Sequence, residues 1–93
     1  MAYEIRYSDE AFATLEKLRK SDATAILDQI KHVLAMNPTL ESKARIKKLR
    51  RPAPTQYRLR VGEFRIFYDV EAQCVHVIRI LSKPDAIAYL GGY

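Results

Sequence analysis

A chain of 93 residues with an apolar share of 48% has room for one domain and one modest core, so we expect a single domain over residues 1–93. Its apolar runs are too short to cross a bilayer, and the N-terminus lacks the layout of a signal peptide, which predicts a cytoplasmic protein without membrane contact. The single cysteine, Cys74, excludes an internal disulfide and a multi-thiolate metal site, and we expect no metal and no cofactor.

The net charge of +5 is unevenly distributed along the chain. Nine basic residues and one acid, Glu63, lie between Lys43 and Arg65 and give this segment a charge of +8, whereas the rest of the chain has a charge of −3. A basic segment on a mildly acidic body suits a polyanion, and nucleic acid is the commonest polyanion. Charge alone leaves two alternatives to nucleic-acid binding open: a solvated basic face and a binding surface for an acidic protein partner.

The first part of the chain has the pattern of one strand and two helices. Apolar and polar residues alternate over residues 2–7, which predicts a strand with one buried side. Ser8 is a suitable N-cap for a helix over residues 9–20. A second helix should begin at Ser21 or Asp22 and end at Asn37, because its apolar residues recur at helical spacing. These residues are Ile26, Ile30, Val33 and Leu34.

Residues 38–56 contain three of the four prolines and six basic residues, and they show no sustained period. This composition predicts a loop with a short extended or helical piece over residues 44–49. Its last basic residues immediately precede the next strand and would extend a basic surface toward a longer ligand. They are Lys47, Lys48, Arg50 and Arg51.

The stretch from residue 57 to residue 81 predicts three consecutive antiparallel strands, because apolar and polar residues alternate with period two. Gly62-Glu63 suits a two-residue type II′ turn between the first two strands. Counting outward from this turn places Leu59 opposite Ile66 on an apolar face. The other face then carries arginines around Phe67, with Arg60 opposite Arg65. Like charges in that position weaken a strand pair by about 0.2–1 kcal/mol.

The third strand has two possible registers, which differ in the position of Arg79. A two-residue turn at residues 72–73 would set Arg79 against Ile66 and bury an unpaired cation. A three-residue turn at residues 71–73 sets it against Arg65 instead, and we predict this register. His76 then shares the parity of the core-side residues and is expected at the core edge. We use the name arginine face for the sheet surface that carries Arg58, Arg60, Arg65 and Arg79.

Ser82 as a cap and Pro84 in a first turn predict a short C-terminal helix over residues 82–90. The predicted fold class is therefore α+β. An N-terminal strand and an αα-hairpin accompany a small twisted antiparallel sheet, with the helices on one side of the sheet. The arginine face is expected to be uncovered.

This order of elements, together with YRLRVGEFRIFYDV followed by VIRIL, resembles the RelE/ParE superfamily of toxins from type II toxin–antitoxin systems. The resemblance covers nearly the whole chain. It implies a RelE/ParE-like fold and a small basic cytoplasmic toxin. It also implies a cognate antitoxin as the partner that wraps and neutralises the toxin.

The superfamily divides by target. RelE-like members cut mRNA on the ribosome, and the resemblance places Arg58 and Arg60 at strand positions that are lysines in well-known RelE proteins. It matches Arg65 to the arginine after the turn, Lys83 to a later basic residue and Tyr89 to a C-terminal tyrosine. ParE-like members instead bind DNA gyrase. The run VIRIL looks closer to the ParE branch, although the histidine common soon after it there is absent.

RNA cleavage by the ribose 2′-hydroxyl needs a proton acceptor, a proton donor and stabilisation of charge on the phosphorus. Arginine provides the last of these, but it stays protonated and cannot be the base. Lys83 and Tyr89 therefore remain as the candidates for proton transfer, beside the arginines. Without a catalytic role, Lys83 would be a solvated lysine near a strand end, and Tyr89 would be a tyrosine that anchors the last helix.

Our first hypothesis is a toxin that inhibits translation by ribosome-dependent mRNA cleavage. Its catalytic residues would be Arg58, Arg60, Arg65, Lys83 and Tyr89. Its RNA-binding residues would be Lys47, Lys48, Arg50, Arg51, Phe67 and Arg79, with Phe67 stacking on a base or meeting an antitoxin side chain. The alternatives are a gyrase-binding toxin of the ParE type and a toxin-like scaffold without activity.

Overall fold

The computed structural model describes residues 2–91, which contain five strands and three helices. The strands are β1 (Glu4–Tyr7), β2 (Ile46–Lys48), β3 (Tyr57–Val61), β4 (Phe64–Glu71) and β5 (Cys74–Ser82). The helices are α1 (Asp9–Lys17), α2 (Lys20–Gln29) and α3 (Lys83–Gly91), and α2 continues into a π-helical turn over Ile30–Leu34. The strands form one mixed sheet in the order β1-β5-β4-β3-β2, so the predicted α+β fold class is confirmed.

The helices α1 and α2 form the predicted hairpin and cover one face of the sheet. The Ser8 hydroxyl accepts a hydrogen bond from the Ala11 N–H at 3.0 Å, which confirms it as the N-cap of α1. The first helix ends at Lys17, earlier than predicted, because Leu18 is already extended at ψ 156°. The core between the helices and the sheet consists of Ala11, Ile26, Ile30, Leu34, Ile46, Leu59, Ile66, Tyr68, Val75, Val77 and Ile80.

The hairpin of β3 and β4 has the predicted register, with Leu59 opposite Ile66 and Arg60 opposite Arg65. Gly62 has a φ of +56°, in the left-handed region that glycine adopts without strain. The side chains of Leu59 and Ile66 are fully buried in the core. Because side chains alternate along a strand, the arginines of β3 and β4 lie on the opposite face.

The predicted register of β5 is wrong, although the predicted side for Arg79 is correct. The turn has two residues, since Glu71 is opposite Cys74, and a β-bulge between Phe67 and Tyr68 of β4 absorbs one extra residue of β5. The bulge reverses the parity of β5, so Arg79 lies opposite Phe67 rather than Arg65. A two-residue turn therefore avoids burying Arg79 in the helix layer.

The extra residue of β5 is Ile78, and the start of α1 holds it in place. The Ser8 hydroxyl donates to the Ile78 carbonyl at 2.6 Å, and the Ser8 N–H donates to the Val77 carbonyl at 2.9 Å. Both bonds exist because β1 runs parallel to β5 and delivers the chain to this point. The sequence predicted neither this parallel pairing nor the bulge. The predicted antiparallel sheet is present as β3, β4 and β5, and β1 joins it as a parallel edge strand.

The short piece predicted over residues 44–49 as extended or helical is extended, and it forms β2, an edge strand paired with β3. The expectation of an uncovered arginine face is wrong in part, because α3 follows β5 directly and folds back over it. Phe67 has no exposed surface and Arg65 retains 8% exposure.

No helix within residues 2–91 is long and apolar enough to span a bilayer.

The double role of Ser8 leads to a stability prediction. Ser8→Ala removes the helix cap and the bond to the bulge carbonyl, so we expect the free energy of unfolding to fall by about 1–3 kcal/mol. Ser21→Ala is the control, because Ser21 is exposed and should change stability by less than about 0.5 kcal/mol. Urea denaturation followed by circular dichroism measures both variants. Equal effects of the two substitutions would contradict the role of Ser8.

Candidate functional site

The sheet pairing arranges the cations of the arginine face in two rows across the strands. The first row contains Arg60 of β3 and Arg65 of β4. The second row contains Lys47 of β2, Arg58 of β3, Phe67 of β4 and Arg79 of β5. The rows are two residues apart along each strand, or about 6.8 Å. A ligand with regularly spaced negative charges would meet cations in both rows.

No lysine or arginine side chain of the basic segment from Lys43 to Arg65 forms an ion pair within residues 2–91. The ion pairs among these described residues are Arg6–Glu4, Arg19–Asp22 and Arg79–Glu10. None of these cations belongs to the segment. Neighbouring positive charges without counter-charges repel one another, and an anionic ligand would relieve that repulsion.

Arg58 shows the effect of this crowding most clearly. Burial lowers the pKa of its guanidinium, and the positive charges of Arg65 and Arg60 lower it further. A partly desolvated cation with cationic neighbours gains more from a bound anion than an exposed one does. Arg58 therefore lies where a bound anion is favoured.

Arg65 differs from its neighbour Arg60 because it is buried and already hydrogen-bonded. Its Nη1 atom donates to the carbonyl oxygens of Gly62 at 2.9 Å and Phe64 at 3.0 Å. These bonds hold the β3–β4 turn and use one nitrogen of the guanidinium fork. Arg60 is exposed and makes no side-chain hydrogen bond within the described part of the chain. The two residues thus share a row but differ in their local roles.

Arg79 is held between the first and last helices. Its Nη2 atom lies 3.4 Å from a carboxylate oxygen of Glu10, and its guanidinium carbon lies 5.5 Å from the centre of the Tyr89 ring. The Tyr89 ring in turn meets Phe67 edge-on, with 5.1 Å between ring centres. Phe67 is thus covered and, in this conformation, offers no face for stacking on a base.

The two candidates for proton transfer lie at opposite ends of α3. The Lys83 N–H donates to the Glu63 carbonyl at 2.9 Å, which places the Lys83 backbone beside the turn that follows Arg60 and precedes Arg65, and the Lys83 side chain is exposed. Tyr89 lies over the Phe67–Arg79 pair. Six helical residues separate their backbones by about 9 Å. Both residues therefore border the arginine face at different rows.

The remaining basic candidates continue past the sheet. Lys47 lies opposite Arg58, and Lys48 is exposed on the same edge strand. Arg50 and Arg51 are exposed in the loop of residues 49–56. This loop borders an open cleft of about 1500 Å³ at the end of the sheet, together with Tyr57, Asp69, His76 and Ile78.

The position of His76 was missed by the sequence analysis. His76 lies opposite Asp69, on the face of the sheet that carries Phe67 and Arg79, so the core-edge prediction is wrong. The physical reason is the two-residue turn, which sends Val75 and Val77 into the core. The signal available in the sequence was the β-branched residue on each side of His76.

The described residues contain no group of three or more His, Cys, Asp or Glu that would hold a metal ion.

The family model described as ParE toxin of type II toxin–antitoxin system, parDE, matches residues 5–86. The chain therefore belongs to the ParE toxin family, within the RelE/ParE superfamily, and is the toxin of a type II toxin–antitoxin system. A comparison with curated proteins finds no significant match.

Several solved structures share the fold. The RelBE2 toxin–antitoxin complex of Mycobacterium tuberculosis matches with a TM-score of 0.72 and 22% identity, covering 88% of this chain and 99% of that chain. The archaeal RelE–RelB complex of Pyrococcus horikoshii matches with a TM-score of 0.72 and 21% identity, covering 89% and 97%. A mutant of the E. coli toxin RelE in the free state matches with a TM-score of 0.70 and 21% identity, covering 99% and 97%. At these identities the likeness shows the fold alone.

The contrast between Arg65 and Arg60 leads to a matched pair of variants. Arg65→Lys loses the guanidinium that bonds two carbonyls of the turn, so we expect stability to fall by about 1 kcal/mol. Arg60→Lys should change stability by less than about 0.5 kcal/mol, because the charge stays and no bond is lost. Urea denaturation of both variants measures the difference. Equal stabilities would contradict the role of Arg65 in holding the turn.

Proposed function

We propose that this toxin inhibits translation by cleaving mRNA on the ribosome, and that a cognate antitoxin neutralises it. The observation that carries the proposal is the arrangement of the arginine face. Its two rows of cations include a partly desolvated arginine, lack ion-pair partners on β2 and β3, and are bordered by Lys83 and Tyr89. A ribonuclease that works without a metal needs this combination of charge stabilisers and proton-transfer groups.

In the proposed reaction, a ribose 2′-oxygen attacks the adjacent phosphorus and the bond from phosphorus to the 5′-oxygen breaks. The products are a 2′,3′-cyclic phosphate and a 5′-hydroxyl end. Arg58, Arg60 and Arg79 stabilise the added negative charge on the phosphoryl oxygens. One of Lys83 and Tyr89 accepts the proton of the 2′-hydroxyl, and the other gives a proton to the leaving oxygen. Arg65 adds its positive charge to the first row while it holds the turn.

The cations outside this centre have a binding role in the proposal. Lys47, Lys48, Arg50 and Arg51 extend from the second row along β2 and its loop, where they would contact successive phosphates of a single strand. Phe67 supports the Tyr89 ring rather than stacking on a base. Ribosome-bound mRNA is the substrate that the resemblance to RelE-like toxins implies.

The proposed antitoxin partner covers the arginine face with an acidic segment. The similar structures from M. tuberculosis and P. horikoshii are complexes of a toxin with an antitoxin, which supports a partner of this kind. An acidic segment would supply the counter-charges that the basic segment lacks within residues 2–91. It would also occupy the surface that binds RNA, so neutralisation and binding would use one surface.

A second candidate function is inhibition of DNA gyrase by protein contact. The observation that favours it is the family model, which is that of ParE toxins. Under this alternative the arginine face binds the antitoxin or gyrase, and Tyr89 serves only to anchor α3 on Phe67 and Arg79. The two candidates differ in whether the Tyr89 hydroxyl contributes to toxicity.

Tyr89→Phe separates these candidates because it removes the hydroxyl and keeps the ring that contacts Phe67 and Arg79. If the hydroxyl transfers a proton, the rate of mRNA cleavage should fall about 10²–10⁴-fold. The measurement is growth arrest on induction, scored together with new ends on ribosome-bound mRNA. Tyr3→Phe is the control, since Tyr3 lies beside the helix layer on the other side of the sheet.

Arrest by the wild-type toxin without new mRNA ends, and with gyrase trapped on DNA, would contradict the nuclease proposal. The arginine face would then be assigned to protein contact. New mRNA ends at the same rate for the wild type and Tyr89→Phe would remove Tyr89 from the mechanism and leave Lys83 as the remaining candidate for proton transfer.

A further inference from the structure

The cleft at the end of the sheet lies next to the arginine face and has no role in the chemistry above. We propose that this cleft is a nucleobase subsite, which selects cytosine or adenine over uracil in the RNA bound by the arginine face. The inference rests on the proposed nuclease function and adds base selection to it.

One wall of the cleft is held rigidly by Gln56. The Gln56 N–H donates to Asp69 Oδ1 at 2.7 Å, and its side-chain oxygen accepts from the Val70 N–H at 2.8 Å. The Gln56 carbonyl accepts from the Leu49 N–H at 2.8 Å. These three bonds tie both ends of the loop of residues 49–56 to the sheet. The cleft is therefore preformed, as ligand sites commonly are.

The other surfaces of the cleft suit a flat ring. His76 and Ile78 line it, and both are half-buried, so each presents part of its side chain to the opening. Tyr57 also borders the cleft, but its ring lies on the helix side of the sheet, where it stacks on Tyr68 with 5.5 Å between ring centres. An imidazole ring is a surface on which nucleobases stack in proteins that bind single-stranded RNA. A base of any sequence could stack here, so stacking provides affinity rather than selection.

The charges of the cleft favour a nucleotide over simpler ligands. Arg50 and Arg51 are exposed in its loop, whereas Asp69 and Glu71 line it from β4. The two carboxylates disfavour a bare phosphate or an acidic peptide at that side. A nucleotide has both required parts, because its phosphate is an anion and its base carries neutral hydrogen-bonding groups. The cleft thus matches one nucleotide of a longer strand.

The cleft is in line with the arginine face. Along β4, Asp69 is two residues beyond Phe67 of the second row, and Phe67 is two residues beyond Arg65 of the first row. Each step is about 6.8 Å and faces the same side of the sheet. That step is comparable to one extended nucleotide. A strand whose phosphates meet the two rows would therefore bring a neighbouring base to Asp69 and His76.

Asp69 provides the selection. Its Oδ1 atom accepts from Gln56, and its Oδ2 atom makes no hydrogen bond within residues 2–91. An ionised carboxylate only accepts hydrogen bonds. Cytosine and adenine carry an amino group, N4 or N6, that donates to such an oxygen. Uracil has a carbonyl oxygen at the position of the cytosine amino group, and two acceptors repel each other.

The test measures binding of short labelled oligouridylates to the full chain by fluorescence anisotropy. Each oligonucleotide has a single cytidine, placed at successive positions. For the wild type we expect one position at which cytidine tightens binding roughly ten- to hundredfold, the effect of one hydrogen bond to a charged group. Asp69→Asn should abolish this preference, because its carbonyl oxygen can still accept from Gln56 while its amide group replaces the Oδ2 acceptor.

Two further variants complete the test. Asp28→Asn is the matched control, because it removes one carboxylate from α2, outside the cleft, and should keep the preference. His76→Ala should weaken the binding of every oligonucleotide, because it removes a stacking surface. Thermal unfolding of each variant shows whether it is folded.

A cytidine preference in the wild type that persists in Asp69→Asn would overturn the base subsite and leave the nuclease proposal intact. RNA binding without a preference for cytidine at any position would also overturn the base subsite and leave the nuclease proposal intact. A cleft that binds an antitoxin peptide but no base would have the same consequence. If the wild type cleaves mRNA on the ribosome but binds no free oligonucleotide, the preference is measured on the cleavage sites instead. The frequency of cytosine and adenine relative to uracil at each position around those sites is then compared between the wild type and Asp69→Asn. No cleavage and no binding would overturn both proposals.

Discussion

Burial of Leu59 and Ile66 is the constraint on which the rest of the structure depends. The two residues face each other across β3 and β4 and are fully removed from solvent by the helix layer. Because a strand alternates its side chains, a slip by one residue would bury Arg58 and Arg60 in the core instead. The apolar side of the hairpin therefore forces its arginines together on the other side. The positive charges of the site follow from the packing of the core.

The forced arrangement has an energetic consequence. Arg60 and Arg65 face each other with no ion-pair partner within residues 2–91, and the pKa of Arg58 is lowered by burial and by both of these charges. The bulge at Ile78 places Arg79 on the same face of the sheet, where Arg79 forms an ion pair with Glu10. A face of this kind is less stable alone than when an anion covers it. An RNA strand and an acidic antitoxin segment relieve the same repulsion, which explains why one surface would serve both partners.

The sequence predicted the parts of the fold that depend on local signals. The Ser8 cap follows from its side chain, and the β3–β4 register follows from the turn at Gly62. The bulge at Ile78 could not be predicted, because Ser8 holds it from a position 70 residues away in the chain. The covering of Phe67 depends on how α3 folds back, which the pattern of α3 alone does not specify.

Local signals in the sequence also predicted part of the candidate site. Alternation within β3 and β4 placed Arg58, Arg60 and Arg65 on one face, and this prediction is confirmed. Arg79 was assigned to the correct face for energetic reasons but in the wrong register. The cleft and His76 were missed because their position depends on the turn length at Ala72, where a non-glycine residue adopts a φ of 55°. Left-handed backbone at an alanine is uncommon, so the sequence gives little sign of it.

We infer that electrostatic repulsion among the cations of the arginine face destabilises the folded toxin, and that a bound polyanion relieves this repulsion. The most direct test measures the free energy of unfolding in urea, for the wild type and Arg60→Gln, at low and at physiological salt. Salt shortens the Debye length from about 30 Å to about 8 Å between these conditions. The wild type should gain up to about 1 kcal/mol with salt, and Arg60→Gln should gain less and be at least as stable as the wild type at low salt. A wild type whose stability is unchanged or falls as salt rises would contradict the claim.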